Sequence, residues 1–261
     1  MLKRLVAALG VMLLMSGSVQ ALPMDGVTLR ISMGPQLAPI SFIQEDFTHP
    51  HGLDVDIMDE LSKRLGFKLY EDRYFILDRA TSIEFLKADK LDIISGGLSA
   101  TEERRQIMDF SDVYYRTGLG FLYCRSFHEK LSLSEANGLK IAVTRNSPAQ
   151  AYLSSLAGGK FELVPIANLT LGFFMVASGQ VDAIVHDFPP ISYFAKTMPA
   201  LNLAVSPELF SLENGRIALG WSKDFKWKDE FNRGLQSLVR DGTMTKLIVK
   251  WIRNNGKVPQ A

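Results

Sequence analysis

The chain has 261 residues, 47% hydrophobic and 22% charged, with a formal net charge of +1. That composition belongs to an ordinary folded protein and excludes a largely disordered chain, and the balance of charge gives no basis for nucleic-acid binding, which needs a concentrated basic face. A single cysteine, Cys124, excludes an intramolecular disulfide, so stability has to come from packing.

At the start of the chain Met1-Leu2-Lys3-Arg4 is cationic, Leu5 to Met15 is apolar, and Ser16 to Ala21 is small and polar. This is the order of a secretory signal peptide with cleavage near Ala21. The apolar run falls short of the roughly 20 residues that a membrane span needs, and no later stretch approaches that length. Residues 1–21 are therefore read as a signal peptide, and the mature chain as soluble and periplasmic. No Cys stands beside the cleavage site to carry a lipid anchor. The roughly 240 residues that follow suit two lobes, since domains run to about 100–200 residues.

Short apolar runs then alternate with helical patterns, which reads as α/β. Leu29 to Met33 is a strand that ends at Gly34-Pro35. Asp54 to Leu65 is a helix with Ile57, Met58, Leu61 and Leu65 on one face, acidic residues early, basic ones late, and Gly66 as its stop. Ala80 to Lys87 is a second helix, packing through Ile83 and Leu86, and Leu91 to Ile94 a buried strand that breaks at Ser95-Gly96-Gly97. Cys124 lies in the strand-like run Phe121-Leu122-Tyr123-Cys124 and reads as a buried, inert thiol.

A similar order recurs. Leu139 to Val143 is a strand, Ser147-Pro148 opens a helix with a Ser cap and Pro in the first turn, and Gly179 to Val185 repeats the plan of Lys90 to Ile94. The chain closes with helices at Lys228 to Val239 and Met244 to Ile252. Gly242 stops the first and Thr243 is expected to cap the second. Two lobes on one plan follow, joined by short crossings expected near Gly118–Phe121 and Asn214–Ala218.

In an open α/β sheet, ligands sit beyond the carboxyl ends of the strands. Four segments lie there: Gly34 to Phe42, Ser95 to Arg104, Arg145 to Gln150 and His186 to Phe188. In the second, Gly96-Gly97-Leu98-Ser99 admits close backbone approach, and Thr101 caps a helix that begins Glu102-Glu103-Arg104. Free N–H groups and a guanidinium in one helical turn suit a carboxylate. A solvated Arg104 and a loop-capping Asp187 are the structural alternatives.

The run Gly96-Gly97-Leu98-Ser99-Ala100-Thr101-Glu102-Glu103-Arg104, followed by Met108 to Tyr115, resembles the central motif of the family 3 extracellular solute-binding proteins, the polar amino-acid binders of ABC importers. Ala38-Pro39-Ile40-Ser41-Phe42, His51 to Asp56 and Arg240 to Met244 extend the resemblance over nearly all of the mature chain. It implies a two-lobed α/β fold of the type II periplasmic binding proteins, each lobe a mixed sheet flanked by helices, with two hinge crossings. Lobe 1 would comprise 22–118 and 217–261, and lobe 2 would comprise 119–216.

By resemblance, Arg104 forks onto a ligand α-carboxylate, helped by Ser99, a backbone contact at Gly97, and Ser147 at a helix start. Asp187 on the other lobe takes the α-ammonium. Three positions depart from the family pattern. Leu37 and Arg79 stand where aromatic residues commonly stack on the ligand, and Pro148 removes an N–H that relatives use. Arg79 therefore suggests a ligand with an additional anionic or strongly polar end, a surface arginine being the structural alternative, whereas Phe75 or Tyr74 are alternatives for lining the pocket at that edge.

His49 and His51 form a His-x-His pair without an adjacent Cys or acidic cluster, which is weak as a metal signal. His186 adjoins Asp187. No phosphate loop or nucleophile elbow is present. The resulting expectation is a monomeric periplasmic binding protein that captures a small carboxylate-bearing solute for an inner-membrane ABC permease, without cofactor or metal. Rival readings are a periplasmic lyase resembling cyclohexadienyl dehydratases and a ligand-binding subunit of a sensory receptor.

Overall fold

The computed structural model describes residues 21–43, 49–156, 160–213 and 215–253. The expected signal peptide and Asn214 of the second crossing lie outside them, apart from Ala21. Eight α-helices are described: α1 Leu53–Leu65, α2 Arg79–Lys87, α3 Glu102–Arg105, α4 Pro148–Leu156, α5 Leu169–Ala177, α6 Phe188–Thr197, α7 Lys228–Arg240 and α8 Thr243–Ile248, the last continued by a π-helical turn over Val249–Arg253.

Two mixed five-stranded sheets carry these helices. In the first, the order is Phe75–Ile76, Ile31–Met33, Ile93–Ile94, Gly220–Trp221, Asp109–Phe110, with the first three parallel and the last two antiparallel to their neighbours. In the second, Glu162–Ile166, Lys140–Thr144, Ala183–Asp187, Leu119–Cys124 and Leu203–Val205 follow the same scheme. The recurrence read in the sequence is thus a recurrence of topology. Ile93–Ile94 and Ala183–Asp187 hold the same place in their sheets.

Local chemistry accounts for the helix ends. In α1, Asp54 and Asp56 stand in the first turn and Lys63 and Arg64 in the last, matching the helix dipole. Gly66 then terminates it in the left-handed region at φ 91°. Its buried face of Leu53, Ile57, Met58, Leu61 and Leu65 packs with Ile31, Met33, Trp221, Phe231 and Leu235. The C-terminal turn returns to this helix, where Lys250 Nζ and Trp251 Nε1 both donate to Asp56 Oδ2 at 2.7 Å. One expected cap differs: Thr243 is inside α8. Gly242 precedes it at φ 79°, the Thr243 N–H donates to Asp241 Oδ1, and its hydroxyl accepts from Arg64.

In the second lobe every residue of Leu119–Cys124 is buried, because helices cover both faces of the sheet. Phe121 and Tyr123 join Ile141, Val143 and Leu153 on one face. Leu122 and Cys124 join Ala142, Phe173 and Ile184 on the other. Cys124 is buried, with its Sγ 3.7 Å from the Leu201 carbonyl oxygen.

The lobes are joined by a two-stranded antiparallel ribbon in which Tyr115 pairs with Ile217 and Arg116 with Arg216. The first crossing is made earlier than the sequence suggested, since Leu119 to Phe121 already pair with Val185 to Asp187 in the second sheet. Beside the ribbon, the Thr117 N–H donates to the Gly215 carbonyl at 2.8 Å. A Cβ on Gly215 would lie 2.1 Å from the Thr117 carbonyl oxygen and 2.5 Å from its carbon. Backbone cannot swing aside as a side chain does. Gly215→Ala is expected to destabilise the protein by roughly 2 kcal/mol or more, read as a lower midpoint in urea; an unchanged midpoint would mean that the crossings part freely.

Candidate functional site

Between the lobes lies a cavity of about 230 Å³. Leu37, Arg79, Gly97, Ser99 and Arg104 line it from the first lobe, and Ser147 and Asp187 from the second. These seven residues singled out in the sequence are therefore brought to one place, together with Pro148 and His186. Phe75 and Tyr74 are not. Phe75 stacks with Tyr70 at 6.3 Å, and the Tyr74 hydroxyl donates to Asp59 at 2.7 Å. At that edge the cavity is lined by Arg79.

The first-lobe wall is a backbone loop held from two directions. Asp54, in the first turn of α1, accepts through Oδ2 from the Gly96 and Gly97 N–H groups at 2.8 Å, from Ser95 Oγ at 3.1 Å and from the Tyr114 hydroxyl at 2.6 Å. Arg79 donates to the carbonyls of Ser95 at 3.1 Å and Gly96 at 2.6 Å. Burial pushes the Asp54 carboxyl up, and the Tyr114, Gly97, Gly96 and Ser95 hydrogen bonds oppose that rise. Burial, reinforced by the Arg104 charge, pushes Arg79 down to about 10, so it remains a cation at neutral pH. Because the Gly97 N–H is taken by Asp54, what Gly97 offers the cavity is its carbonyl. A Cβ at Gly97 would fall 2.6 Å from Leu37 Cδ2, and its φ of +77° favours glycine.

Arg104 sits in the single turn of α3, whose start Thr101 caps at 3.4 Å. Its Nη1 donates to the Ser99 carbonyl at 2.9 Å, which leaves Nε and Nη2 as an adjacent pair of donors. Burial lowers its pKa, and Asp187 opposes this. Across the cavity, Asp187 ends the Ala183–Asp187 strand and precedes α6, yet caps nothing. The reason is in the sequence: a cap accepts from the second or third helical N–H, and both positions are proline, Pro189 and Pro190. The carboxylate is thereby left for the cavity. Burial raises its pKa, while His186, Arg104 and Arg79 pull it back.

Ser147 and Asn168 cap the neighbouring helices α4 and α5, accepting from Gln150 N at 3.1 Å and Leu171 N at 3.0 Å. Both helix starts border the cavity. Thr144 carried no sequence signal of its own, whereas Arg145 and Asn146 belong to the segment that the strand pattern placed at the ligand end of the sheet. Thr144 brings a buried hydroxyl without a partner, and Arg145 a guanidinium. Asn146 adopts a positive φ of 55°, a conformation that Asn tolerates better than most. His186 is held neutral by burial, its Nδ1 3.9 Å from Asp187 Oδ2. His51 packs beside Phe42 at 6.2 Å, away from the cavity.

Residues 29–254 match the bacterial extracellular solute-binding proteins, family 3. The chain belongs to that family. It is 26% identical over 263 residues to the lysine/arginine/ornithine-binding periplasmic protein of Escherichia coli (strain K12), covering 97% of this chain and 98% of that one. It is 30% identical over 205 residues to an arginine-binding extracellular protein of Bacillus subtilis (strain 168), covering 77% of each. Among solved structures it resembles an ancestral arginine-binding protein bound to arginine, with TM-score 0.78, 26% identity and coverage of 87% and 99%. It also resembles an ancestral amino acid-binding protein described as a precursor of cyclohexadienyl dehydratase, with TM-score 0.73, 27% identity and coverage of 86% and 95%. The family shares the two-lobed fold seen here, and among the described residues no helix is long and apolar enough to cross a membrane.

Removing Asp54 strands two backbone N–H groups and a tyrosine hydroxyl in a buried site. Asp54→Ala is expected to cost about 3 kcal/mol or more, measured by urea unfolding. A wild-type midpoint would show that the loop does not depend on this carboxylate.

Proposed function

We propose that the protein is a periplasmic substrate-binding protein that captures an amino acid or related small carboxylate and delivers it to an inner-membrane ABC permease. The observation that carries this reading is the placement of Arg104 and Asp187 on opposite lobes, facing one small cavity. A cation on one side and an anion on the other fit the carboxylate and ammonium of a zwitterion together only when the lobes are closed. The ligand then holds the closed state through its differential affinity for it. Lobe 1 is taken as 22–118 with 217–261 and lobe 2 as 119–216, with the ribbon at 115–116 and 216–217 as the hinge.

In this reading Nε and Nη2 of Arg104 clasp the α-carboxylate, assisted by Ser99 and the Ser147 end of α4. Asp187 and the Gly97 carbonyl receive the α-ammonium. The protein acts as a monomer and performs no chemistry on its ligand. Its resemblance to a dehydratase precursor keeps one enzymatic test relevant: turnover of prephenate or arogenate by the purified protein would replace binding with catalysis.

Native mass spectrometry of protein purified without refolding, followed by a thermal-shift screen of amino acids, dicarboxylates and amines, tests the proposal. Stabilisation by carboxylate-free ligands alone would remove Arg104 from its role. Arg104→Ala is expected to weaken binding by roughly 100-fold, the loss of a charge-assisted bidentate pair worth about 2–3 kcal/mol.

The pH dependence has a definite sign. Asp187 is raised without ligand, and an ammonium beside it lowers its pKa again, so binding releases protons on the acid side. Affinity should therefore fall as pH drops through the unliganded Asp187 pKa and level off above it. Titration calorimetry from pH 4 to 8, about the range where such carboxyls titrate, checks this; a flat profile would show that Asp187 does not pair with the ligand.

A further inference from the structure

Three guanidinium groups line the cavity, those of Arg79, Arg104 and Arg145. None of them pairs with a carboxylate among the described residues. Arg79 is held by the Ser95 and Gly96 carbonyls and Arg104 by the Ser99 carbonyl, neutral acceptors, so neither makes a direct ion pair, although Asp54 and Asp78 act on Arg79 and Asp187 and Glu103 on Arg104 through space. Arg145 is exposed at the end of the Lys140–Thr144 strand.

The acids around them are accounted for. Asp78 caps α2, accepting from the Thr81 N–H at 3.0 Å and the Thr81 hydroxyl at 2.6 Å. Asp54 does not line the cavity; its Oδ2 accepts from four donors, its buried Oδ1 has no hydrogen-bond partner among the described residues, and its charge partly offsets that of Arg79. His186 is neutral. Asp187 alone remains for a ligand. Once an amino acid's ammonium and carboxylate engage Asp187 and Arg104, Arg79 and Arg145 still lack an anion.

We propose that the cavity selects solutes with a second anionic group, acidic α-amino acids foremost, and rejects cationic amino acids. This rests on the binding-protein reading above. A second carboxylate meets a planar fork of donors in Arg79 or Arg145 and relieves the repulsion between Arg79 and Arg104. A lysine or arginine side chain would bring another cation toward unneutralised guanidinium groups, where like charges disfavour one another. The relatives named for arginine or lysine are therefore poor guides to this chain's solute.

Titration calorimetry on the whole mature protein decides the matter, with glutamate, aspartate, glutamine, arginine, lysine and succinate as titrants. Glutamate or aspartate should bind at least about tenfold tighter than the near-isosteric but neutral glutamine, a factor of ten being about 1.4 kcal/mol. Arginine and lysine should give no heat of binding. Arg79→Gln and Arg145→Gln should each shrink the acidic-over-neutral ratio, and Arg79→Lys should keep part of it. Should Arg79→Gln fail to fold because it frees the loop carbonyls, Arg145→Gln and the wild-type ranking still decide.

Glutamine, arginine or lysine binding as tightly as the acidic pair overturns the inference while leaving amino-acid binding intact. Binding of succinate with no amino acid sustains the anionic class and removes the amino-acid reading. Absence of binding by all the anions overturns the inference, and absence of binding by every titrant removes the binding-protein reading as well.

Discussion

Oδ2 of Asp54 collects the N–H groups of Gly96 and Gly97, the Ser95 hydroxyl and the Tyr114 hydroxyl at a buried point beneath the cavity wall. Those donors belong to elements far apart in sequence, so one side chain on α1 fixes the loop that faces the solute. It also ties that loop to Tyr114, the residue before the hinge strand Tyr115–Arg116. Two glycines at positive φ give the loop no stiffness of their own. The stiffness comes from Asp54 accepting on one set of peptide groups and Arg79 donating to another.

The hinge has a different character. The lobes share one topology, and the ribbon between them consists of two residue pairs. Short antiparallel crossings of this kind allow two rigid sheets to rotate against each other with little change inside either. The charges that line the cavity are divided accordingly, with Arg79 and Arg104 on one lobe and Asp187 on the other. Charges at such positions lack their full complement of partners until the lobes and a solute come together.

Leaving charged groups partly buried and unpaired destabilises the empty protein. The depressed guanidinium pKa values and the raised Asp187 pKa are that same cost, viewed through protonation. A ligand that supplies the missing counter-charges recovers it. In the proposed reading, selectivity follows from which charges lack a direct ion pair, so the relatives' shared fold need not bring a shared solute.

Much of this was legible in the chain itself. Apolar periodicity, the charge gradient along α1, the Gly66 stop and the Ser147-Pro148 start are local signals, and they fixed the α/β plan and its two similar halves. The contiguous Gly96 to Arg104 run was enough to pick out residues that converge on one cavity. Asp-Phe-Pro-Pro at 187–190 also held the reason that Asp187 is no helix cap, although spacing alone left that open. What only the tertiary structure decided were side-chain partners across the fold. Asp54 read as an ordinary first-turn acid, because nothing within α1 reveals that a loop some 40 residues on will close over it. Arg79 proved to line the cavity in preference to Phe75 and Tyr74, and Thr144 joined it unannounced. Periodicity specifies which face of an element is apolar. It carries no record of which distant polar group will meet the residues where that element ends.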